Sequence, residues 1–312
     1  MRITNSTLST NYLRNLTRNL EQMQKYQNQL SSGKVVSKPS DNPLLVSKIM
    51  DLSNNILQNE QYNTNISDTL GWVQTQDGAL NNVNATLNRI RDLVIYGANG
   101  SLSDTDRQAI YDEAEMKVSE LMDTLNTNFD GRYIFGGQKT LTKPFSLSGA
   151  DNDILSYNEG GSDGDGADET ITREISKGVT VKLITIGSDI TGKDGTGEKS
   201  LGTLLKDIMT SLKSTDRAEL EKLSNEYLGN LDKNIDNVLQ VRSKIGAIDN
   251  RLQAAEARNE SENLNLNTLL SKREDVDVAE KYMEFSVMES VYQASLAVGA
   301  QILQPSLLDY LR

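Results

Sequence analysis

The sequence predicts a mainly α-helical protein: an elongated rod of long antiparallel helices built from both chain ends, with a small β-rich inserted domain at its tip. Apolar residues recur every three or four positions through both flanks of the chain. The middle instead carries glycine-rich turns and short β-branched runs. Because the helical segments are arranged symmetrically about this middle, we expect the chain to run out, cross a tip and return.

The first helix is predicted from about Thr4 to Ser32. Its apolar stripe has the spacing of a helix that buries one face. Gly33 follows at the position of a left-handed C-cap. An alternative, a phosphate-binding loop over residues 31–34, lacks the required upstream glycine and the following Ser or Thr. We expect the stripe to lie in an interface between subunits; it comprises Leu13, Leu16, Leu20, Met23 and Leu30.

A similar stripe runs along the C-terminal segment. Residues 1–40 carry a net charge of +5 and residues 271–312 a net charge of −3, which favours pairing of the two segments, although exposed pairs contribute only roughly 0–1 kcal/mol each. One such segment buries too little apolar surface to offset the backbone entropy lost on ordering, so we expect other subunits to cover the stripes. The C-terminal interface residues are Met283, Val287, Val291, Ala294, Val298, Ile302, Leu307 and Leu308.

The segments between the two ends are predicted to form the rod. A helix over residues 43–96, whose apolar stripe slips by one step near Gln76, would be about 80 Å long at ~1.5 Å per residue. Strands are predicted at Ile171–Ile175 and Val179–Ile186, in an exposed insertion rather than in the core. Helix resumes near Leu201. The predicted domains are terminal segments 1–40 with 275–312, a helical rod of 41–138 with 201–274, and the insertion 139–200.

Composition excludes several classes of function. The 312 residues include neither cysteine nor histidine, which removes disulfides, thiolate and imidazole catalysis and most zinc or haem sites. The net charge of −12 lacks the electrostatic footprint of a nucleic-acid-binding protein. No apolar run is long enough to predict a membrane span, and no Sec-type signal is visible. We therefore predict no catalytic residues, no cofactor, no metal site and no nucleic-acid partner.

Acidic residues suggest two alternative functions, calcium binding and acid–base catalysis, but their spacing disfavours both. In residues 162–169, Ala167 and Asp168 stand where a calcium-binding EF-hand loop needs an oxygen ligand and a glycine. A flexible acidic turn is the favoured interpretation. Glu280 and Glu284 lie one helical turn apart, which is typical of a solvated helix face rather than of acid–base catalysis.

Both ends of the chain resemble the bacterial flagellin superfamily. The run RSKIGAIDNRLQ at 242–253, with NLNLNTLLSKREDVDVAE at 263–280 and QILQPSLLDYLR at 301–312, is similar to the flagellin C-terminal signature. QNQLSSGKVVSKPSDNP at 27–43 is similar to the N-terminal signature, in which a Leu-Ser-Ser-Gly turn follows the first helix. The resemblance therefore rests on motifs from both ends of the chain.

Three details resemble the hook–filament junction members of this superfamily more than its filament subunits. They are the segments Ser40–Pro43, Asp130–Gly137 and Leu307–Leu311. The resemblance covers roughly residues 1–140 and 200–312, and the insertion carries no family signal. The alternatives are flagellin itself, the filament subunit, and an adhesin carried on flagellin-like ends.

The resemblance implies a structural role without catalysis. Such proteins are exported unfolded through the flagellar type III apparatus and form a ring-like layer of the extracellular flagellum by coiled-coil packing of their terminal helices. The implied partners are further copies of the chain, the hook-side junction protein, flagellin and a cytoplasmic export chaperone that covers the C-terminal helix. The inner tube would be formed by helices at about 1–38 and 275–312.

Overall fold

Long helices from both halves of the chain dominate the fold. They are seen in a computed structural model, which describes residues 5–99, 102–148, 154–157, 170–184, 186–192, 199–214 and 217–302. The contacts divide the chain into two compact units: a terminal unit of residues 1–60 with 261–312, and a central unit of residues 61–260. The mainly α fold class predicted from the apolar periodicity is confirmed. The division into three domains stays a prediction.

The elements follow one another in the predicted order of helices, short strands and helices. The helices are α1 (Asn5–Ser32), α2 (Pro43–Gly97), α3 (Asp104–Leu125), α4 (Gly187–Thr191), α5 (Leu201–Lys213), α6 (Arg217–Lys222), α7 (Leu228–Glu274) and α8 (Val278–Ile302), and a π-helical turn over Leu223–Tyr227 joins α6 to α7. The strands are β1 (Asn128–Phe129), β2 (Arg132–Tyr133), β3 (Phe145–Ser148), β4 (Ile154–Tyr157), β5 (Thr172–Ser176) and β6 (Val179–Lys182). Within the described residues, β1 pairs with β2, β3 with β4 and β5 with β6, each antiparallel.

The strand β6 ends earlier than the predicted segment, which extended to Ile186. Leu183 N–H still donates to the Ile171 carbonyl oxygen at 2.8 Å. Ile186 instead forms an isolated bridge with Gly136, which follows the β1–β2 hairpin. The chain therefore leaves its hairpin partner to pair with a different segment, which a local sequence pattern does not reveal.

The central unit is built on antiparallel runs of α2 and α7. Arg242 Nε of α7 donates to Asp77 Oδ1 of α2 at 2.7 Å, and Arg91 Nε of α2 donates to Asp232 Oδ1 of α7 at 2.6 Å. Apolar side chains at helical spacing are buried along both helices, between these ion pairs and beyond them. The buried residues include Ile66, Leu70, Val73, Leu80, Val83, Leu87, Ile90 and Val94 of α2, and Leu231, Val238, Val241, Ile245 and Leu252 of α7.

The middle of the chain contributes to this core, contrary to the expectation of an exposed insertion. Gly202 of α5 permits a close approach, since a Cβ there would come within 1.8 Å of the Leu155 carbonyl oxygen of β4. The hairpins lie against helices because each two-stranded sheet is too small to bury its own apolar face. The buried side chains from this region are Phe145, Leu155, Ile175, Val181, Leu183 and Ile190.

Gln76 accounts for the irregularity in the α2 stripe. Its side chain is buried, and its amide Nε2 donates to the Ile134 carbonyl oxygen at 3.0 Å and to the Ile184 carbonyl oxygen at 2.7 Å. One polar residue on the core face of α2 therefore holds both the segment after β2 and the segment after β6. The polar residue that interrupts the apolar pattern thus connects these two segments to α2 within the central unit.

Candidate assembly surface on helices α1 and α8

Backbone hydrogen bonds fasten the two connectors of the terminal unit to each other. Gly33 ends α1 with a φ of +69°, a left-handed conformation that favours glycine. Val35 N–H donates to the Glu274 carbonyl oxygen at 2.7 Å, and Val276 N–H donates to the Gly33 carbonyl oxygen at 3.0 Å. The Gln29 side-chain amide donates to the Val35 carbonyl oxygen at 2.6 Å. The end of α1 is thereby fixed beside the start of α8.

An ion pair and a helix cap add to this fastening. The Lys34 ammonium group donates to the Glu274 carboxylate, and this hydrogen bond, followed by the attraction of the negative charge, raises the pKa of Lys34 above its ordinary value. Asp277 Oδ1 accepts from the backbone N–H groups of Ala279 at 3.0 Å and Glu280 at 3.2 Å, which caps the N-terminus of α8. The first turn of α8 is therefore held at a defined position.

Tyr12 of α1 packs directly on the backbone of α8. A Cβ placed on Gly299 would come within 2.0 Å of Tyr12 Oη, so only glycine leaves room for the ring. The Tyr12 hydroxyl donates to the Ser295 carbonyl oxygen at 2.9 Å, and Asn19 Nδ2 donates to the Ser295 hydroxyl at 3.5 Å. The contact between the helices is therefore partly hydrogen-bonded.

The inward faces of α1 and α8 form an antiparallel seam of mixed polarity. Most of the partly or fully buried residues of both helices follow one another at intervals of four and three positions, which is the spacing of coiled-coil contacts. Lys281 Nζ lies 5.6 Å from the ring centre of Tyr26, so a cation–π contact crosses the seam. The seam consists of Tyr12, Leu16, Asn19, Met23, Tyr26 and Leu30 of α1, with Lys281, Phe285, Met288, Tyr292, Ser295 and Gly299 of α8.

Five residues predicted for the C-terminal interface share a different, exposed face of α8. Met283 is 63% exposed and Val287 is 61% exposed, although both are apolar. For Ile302 only the helical backbone is described, and Leu307 and Leu308 lie outside the described residues. Coverage of this face by other subunits stays a prediction. We call the face the apolar strip, and it consists of Met283, Val287, Val291, Ala294 and Val298.

The five residues predicted for α1 divide between two faces. Leu16, Met23 and Leu30 are half-buried in the seam. Leu13 is 51% exposed, and Leu20, seven residues further on, is also exposed. Three of the predicted residues therefore serve the pairing within the chain, and two are available to a neighbouring molecule.

The exposed charges of α1 and α8 do not pair with each other. Arg14, Arg18 and Lys25 of α1 are exposed, as are Glu280 and Glu289 of α8. Within residues 5–32 and 278–302, no ion pair joins one helix to the other. The attraction expected between residues 1–40 and 271–312 is present in the Lys34–Glu274 ion pair of the connectors. Along the helices, hydrogen bonds, packing and the Lys281–Tyr26 cation–π contact join α1 to α8, and the exposed charges named above face outward.

Sequence reasoning missed the polar half of the seam. Tyr12, Asn19 and Tyr26 have the same four-and-three spacing as the apolar residues, but a search for aliphatic side chains passes over them. Ser295 and Gly299 were overlooked on α8 for the same reason. The available signal was Gly299, because a glycine inside a helical pattern often marks a close backbone approach.

The described residues support no alternative site. In the ranges that the structure describes, no cluster of three or more acidic side chains could hold a metal ion, and the acidic run 162–169 lies outside those ranges. Glu284 accepts a hydrogen bond from Lys281 at 2.7 Å, so it is engaged in an ion pair. Among these same residues, no helix has the length and apolar content needed to span a lipid bilayer.

Comparison with known proteins identifies both ends of the chain. Residues 3–140 match the bacterial flagellin N-terminal helical region, and residues 228–311 match the bacterial flagellin C-terminal helical region. Flagellar hook-associated protein 3 of Escherichia coli strain K12 is 28% identical to this chain over 95% of each sequence. Flagellin of Bacillus subtilis strain 168 is 28% identical over 96% of each sequence.

A solved structure shares the fold. The flagellar junction protein of Legionella pneumophila superposes with a TM-score of 0.58 and a sequence identity of 17%. The superposition covers 73% of this chain and 100% of the Legionella chain. This likeness supports the helical architecture.

The flagellin matches include the whole of α1 and α8 and both fastened connectors. Together they span more than two-thirds of the chain, and the relatives align along nearly all of it. The prediction of a structural protein rather than an enzyme is confirmed by this kinship. The protein belongs to the bacterial flagellin superfamily, whose members are structural, non-enzymatic parts of the extracellular flagellum.

Proposed function

We propose that this chain is a flagellar subunit that forms a junction layer between hook and filament. The observation that carries the proposal is its likeness to hook-associated protein 3 along 95% of both sequences. The motifs Ser40–Pro43 and Asp130–Gly137 support it, because they resemble junction proteins more than filament subunits. The work of such a subunit is mechanical: it presents one face to the hook side and another to the filament.

The apolar strip supplies the driving force for assembly in this proposal. Each aliphatic or methionine side chain moved fully from water into a packed interface contributes about 1.5–3 kcal/mol. The strip residues already lose part of their surface to α8 itself, so covering the strip contributes several kcal/mol in all. Contiguous exposed apolar surface of this kind is typical of an interaction site.

The outward charges favour packing of α1 of one subunit against α8 of the next. Arg14, Arg18 and Lys25 give α1 a positive surface, and Glu280 and Glu289 give α8 a negative one. Complementary surfaces steer association and disfavour packing of like helices. Leu13 and Leu20, exposed beside the seam, would then contact the apolar strip of the neighbouring subunit.

The three predicted segments would have separate roles in the assembly. Residues 1–40 with 275–312 would line the inner tube, and residues 41–138 with 201–274 would form the surrounding rod layer. Residues 139–200 would face outward. This allotment is proposed from the family resemblance and from the position of the apolar strip.

The proposed partners are the hook-side junction protein, flagellin, further copies of this chain and a cytoplasmic export chaperone. Export would proceed unfolded through the flagellar type III apparatus. The chaperone would bind α8, because an exposed apolar strip left uncovered in the cytoplasm promotes aggregation. The lack of cysteine is compatible with passage in an unfolded state, because no disulfide can form on the way.

A filament subunit is the second candidate, favoured by the equal identity to Bacillus subtilis flagellin. Seeded assembly separates the two candidates. Purified chain added to filament fragments should extend them indefinitely if it is flagellin, and it should stop near a single layer if it is a junction protein. Continued growth would overturn the junction assignment while leaving the superfamily assignment in place.

Electron microscopy of a deletion strain tests the proposal in the cell. We expect hooks without filaments, with flagellin shed into the medium. Complementation with the full chain should restore filaments, and complementation with a chain lacking residues 275–312 should not. Filaments of normal length in the deletion strain would contradict a junction role.

A further inference from the structure

Methionine is the sulfur-containing residue through which oxidants can act on this protein. The sequence contains eight methionines and no cysteine. A thioether is oxidised more readily when it is exposed, and the product is reversible by methionine sulfoxide reductases. Exposure differs widely among the described methionines: Met209 of α5 is 7% exposed, whereas Met116 of α3 is 70% exposed.

Met283 combines high exposure with a place in the apolar strip. It is 63% exposed and lies one helical turn before Val287 on the same face of α8. Met288, five residues further on, is half-buried in the seam. Met283 is therefore the strip position where oxidation can change the surface without first separating α8 from α1.

Resting on the proposed function, we propose that Met283 is a redox-modification site whose oxidation weakens docking of the apolar strip on another subunit. A peroxide is the oxidant. The thioether sulfur attacks one peroxide oxygen, the O–O bond breaks, an S–O bond forms, and the other oxygen leaves as water after taking a proton. The sulfur loses two electrons to the peroxide, and the product is a sulfoxide.

The sulfoxide changes the strip because it replaces an apolar group with a strong hydrogen-bond acceptor. Burying that acceptor against Val287 and its neighbours carries a desolvation cost that no partner on the strip offsets. Docking is weakened even though the fold of the subunit is kept. Assembly in turn shields the sulfur, so the sensitive state is the unassembled subunit.

The test uses the purified full chain and isolated hooks from a strain that lacks it. Wild type, Met283→Leu and Met116→Leu are each treated with hydrogen peroxide, and sulfoxide at each methionine is measured by peptide mass spectrometry. Binding to hooks is then measured by co-sedimentation. Met283→Leu keeps the volume and the apolar character of this strip position. Because Met283 belongs to the binding surface, the effect of peroxide on each protein is measured relative to the binding of its own untreated sample.

We expect peroxide to weaken binding of wild type and of Met116→Leu on the order of tenfold, and to leave binding of Met283→Leu nearly unchanged. Treatment of oxidised wild type with methionine sulfoxide reductase should restore binding. Equal loss in Met283→Leu and wild type would overturn the proposal, as would undiminished binding of fully oxidised wild type.

Two further measurements distinguish a failure of this inference from a failure of the proposed function. Untreated wild type is tested first: if it does not bind hooks, the proposed function itself fails and the inference falls with it. Met283→Gln carries a polar side chain of similar length without any oxidant, and Met116→Gln is its matched control. Circular dichroism verifies that both fold, and we expect only Met283→Gln to bind hooks weakly; normal binding by it would contradict the inference.

Discussion

Tyr12 of α1 occupies the space that a side chain at position 299 of α8 would need. A Cβ on Gly299 would lie 2.0 Å from Tyr12 Oη and 2.3 Å from Cζ. The same hydroxyl donates to the Ser295 carbonyl oxygen at 2.9 Å. The ring therefore fixes the register of the two terminal helices, and with it the direction in which the apolar strip faces.

Gly299→Ala should weaken the pairing of α1 with α8. Alanine normally stabilises a helix by about 0.5–1 kcal/mol over glycine, but overpacking against a ring costs about 1–3 kcal/mol. Because the clash is the larger effect, we expect faster hydrogen exchange in peptides from both helices. The matched control is Gly246→Ala in α7, where nothing lies within 4 Å of the added Cβ. That variant should be slightly more stable, and unchanged exchange in Gly299→Ala would show that Tyr12 does not set the register.

Leu16→Asp and Leu20→Asp should have different effects, although both positions belong to one predicted stripe. Leu16 is half-buried in the seam, so a charge there should loosen α1 from α8 and also reduce binding to hooks. Leu20 is exposed, so Leu20→Asp should keep the exchange pattern of the monomer and reduce hook binding alone. Comparable rates of hydrogen exchange in the two variants would mean that Leu16 has been wrongly assigned to the seam.

The difference between those two leucines shows what the sequence could predict. Helical periodicity places both leucines on one apolar stripe. Residues three and four positions apart lie in neighbouring rows on a helix surface, and the partner helix determines which row is buried. The long helices and the turn at Asp130-Gly131, where both φ angles are positive, follow from local chemistry and were predictable. The seam was not predictable, because it joins residues that lie at opposite ends of the sequence, such as Tyr12 and Ser295.

Distance along the chain also explains why the burial of residues from the β-rich middle segment could not be predicted. The Asn126 side chain exchanges two hydrogen bonds of 3.0 Å with the backbone N–H and carbonyl of Phe145, which draws β3 toward the end of α3. Phe145 then packs against Tyr157, with ring centres 5.3 Å apart. A glycine-rich composition predicts turns, but it carries no information about which helices those turns will contact.

Gln76→Leu should destabilise the central unit by about 2–4 kcal/mol, because it leaves the carbonyl groups of Ile134 and Ile184 without this donor. Urea unfolding followed by fluorescence of Trp72, the single tryptophan, measures the change. Gln253→Leu on the exposed surface of α7 is the control and should shift stability by no more than about 0.5 kcal/mol. A neutral result for Gln76→Leu would mean that the two segments are held by other contacts.

The Lys34–Glu274 pair should make the connectors sensitive to alkaline pH. The pKa of Lys34 is raised in the folded chain, first by its hydrogen bond to Glu274. The stabilisation is therefore complete below the ordinary lysine pKa of about 10.4 and is lost as pH rises through the higher folded value.

Melting temperatures of wild type and Lys34→Met measure this effect. Their difference should be constant from about pH 8 to pH 10 and should shrink above that range. Salt should reduce it throughout, because the Lys34 side chain is 53% exposed. A difference in melting temperature that grows as the pH becomes more alkaline would contradict this prediction, because it would mean that folding lowers the pKa of Lys34.

The central claim is that the apolar strip of α8 docks on a neighbouring subunit. Val287→Asp combined with Val291→Asp places two charges on the strip, and Gln293→Asp places one on a different exposed face of α8. Each is expressed in a strain lacking the native chain, after circular dichroism has verified that the purified monomer folds.

Filament length on cells, counted by electron microscopy, is the deciding measurement. We expect bare hooks with the Val287 and Val291 variant and normal filaments with Gln293→Asp. Normal filaments in both strains would contradict the account, because the strip would then be dispensable for assembly.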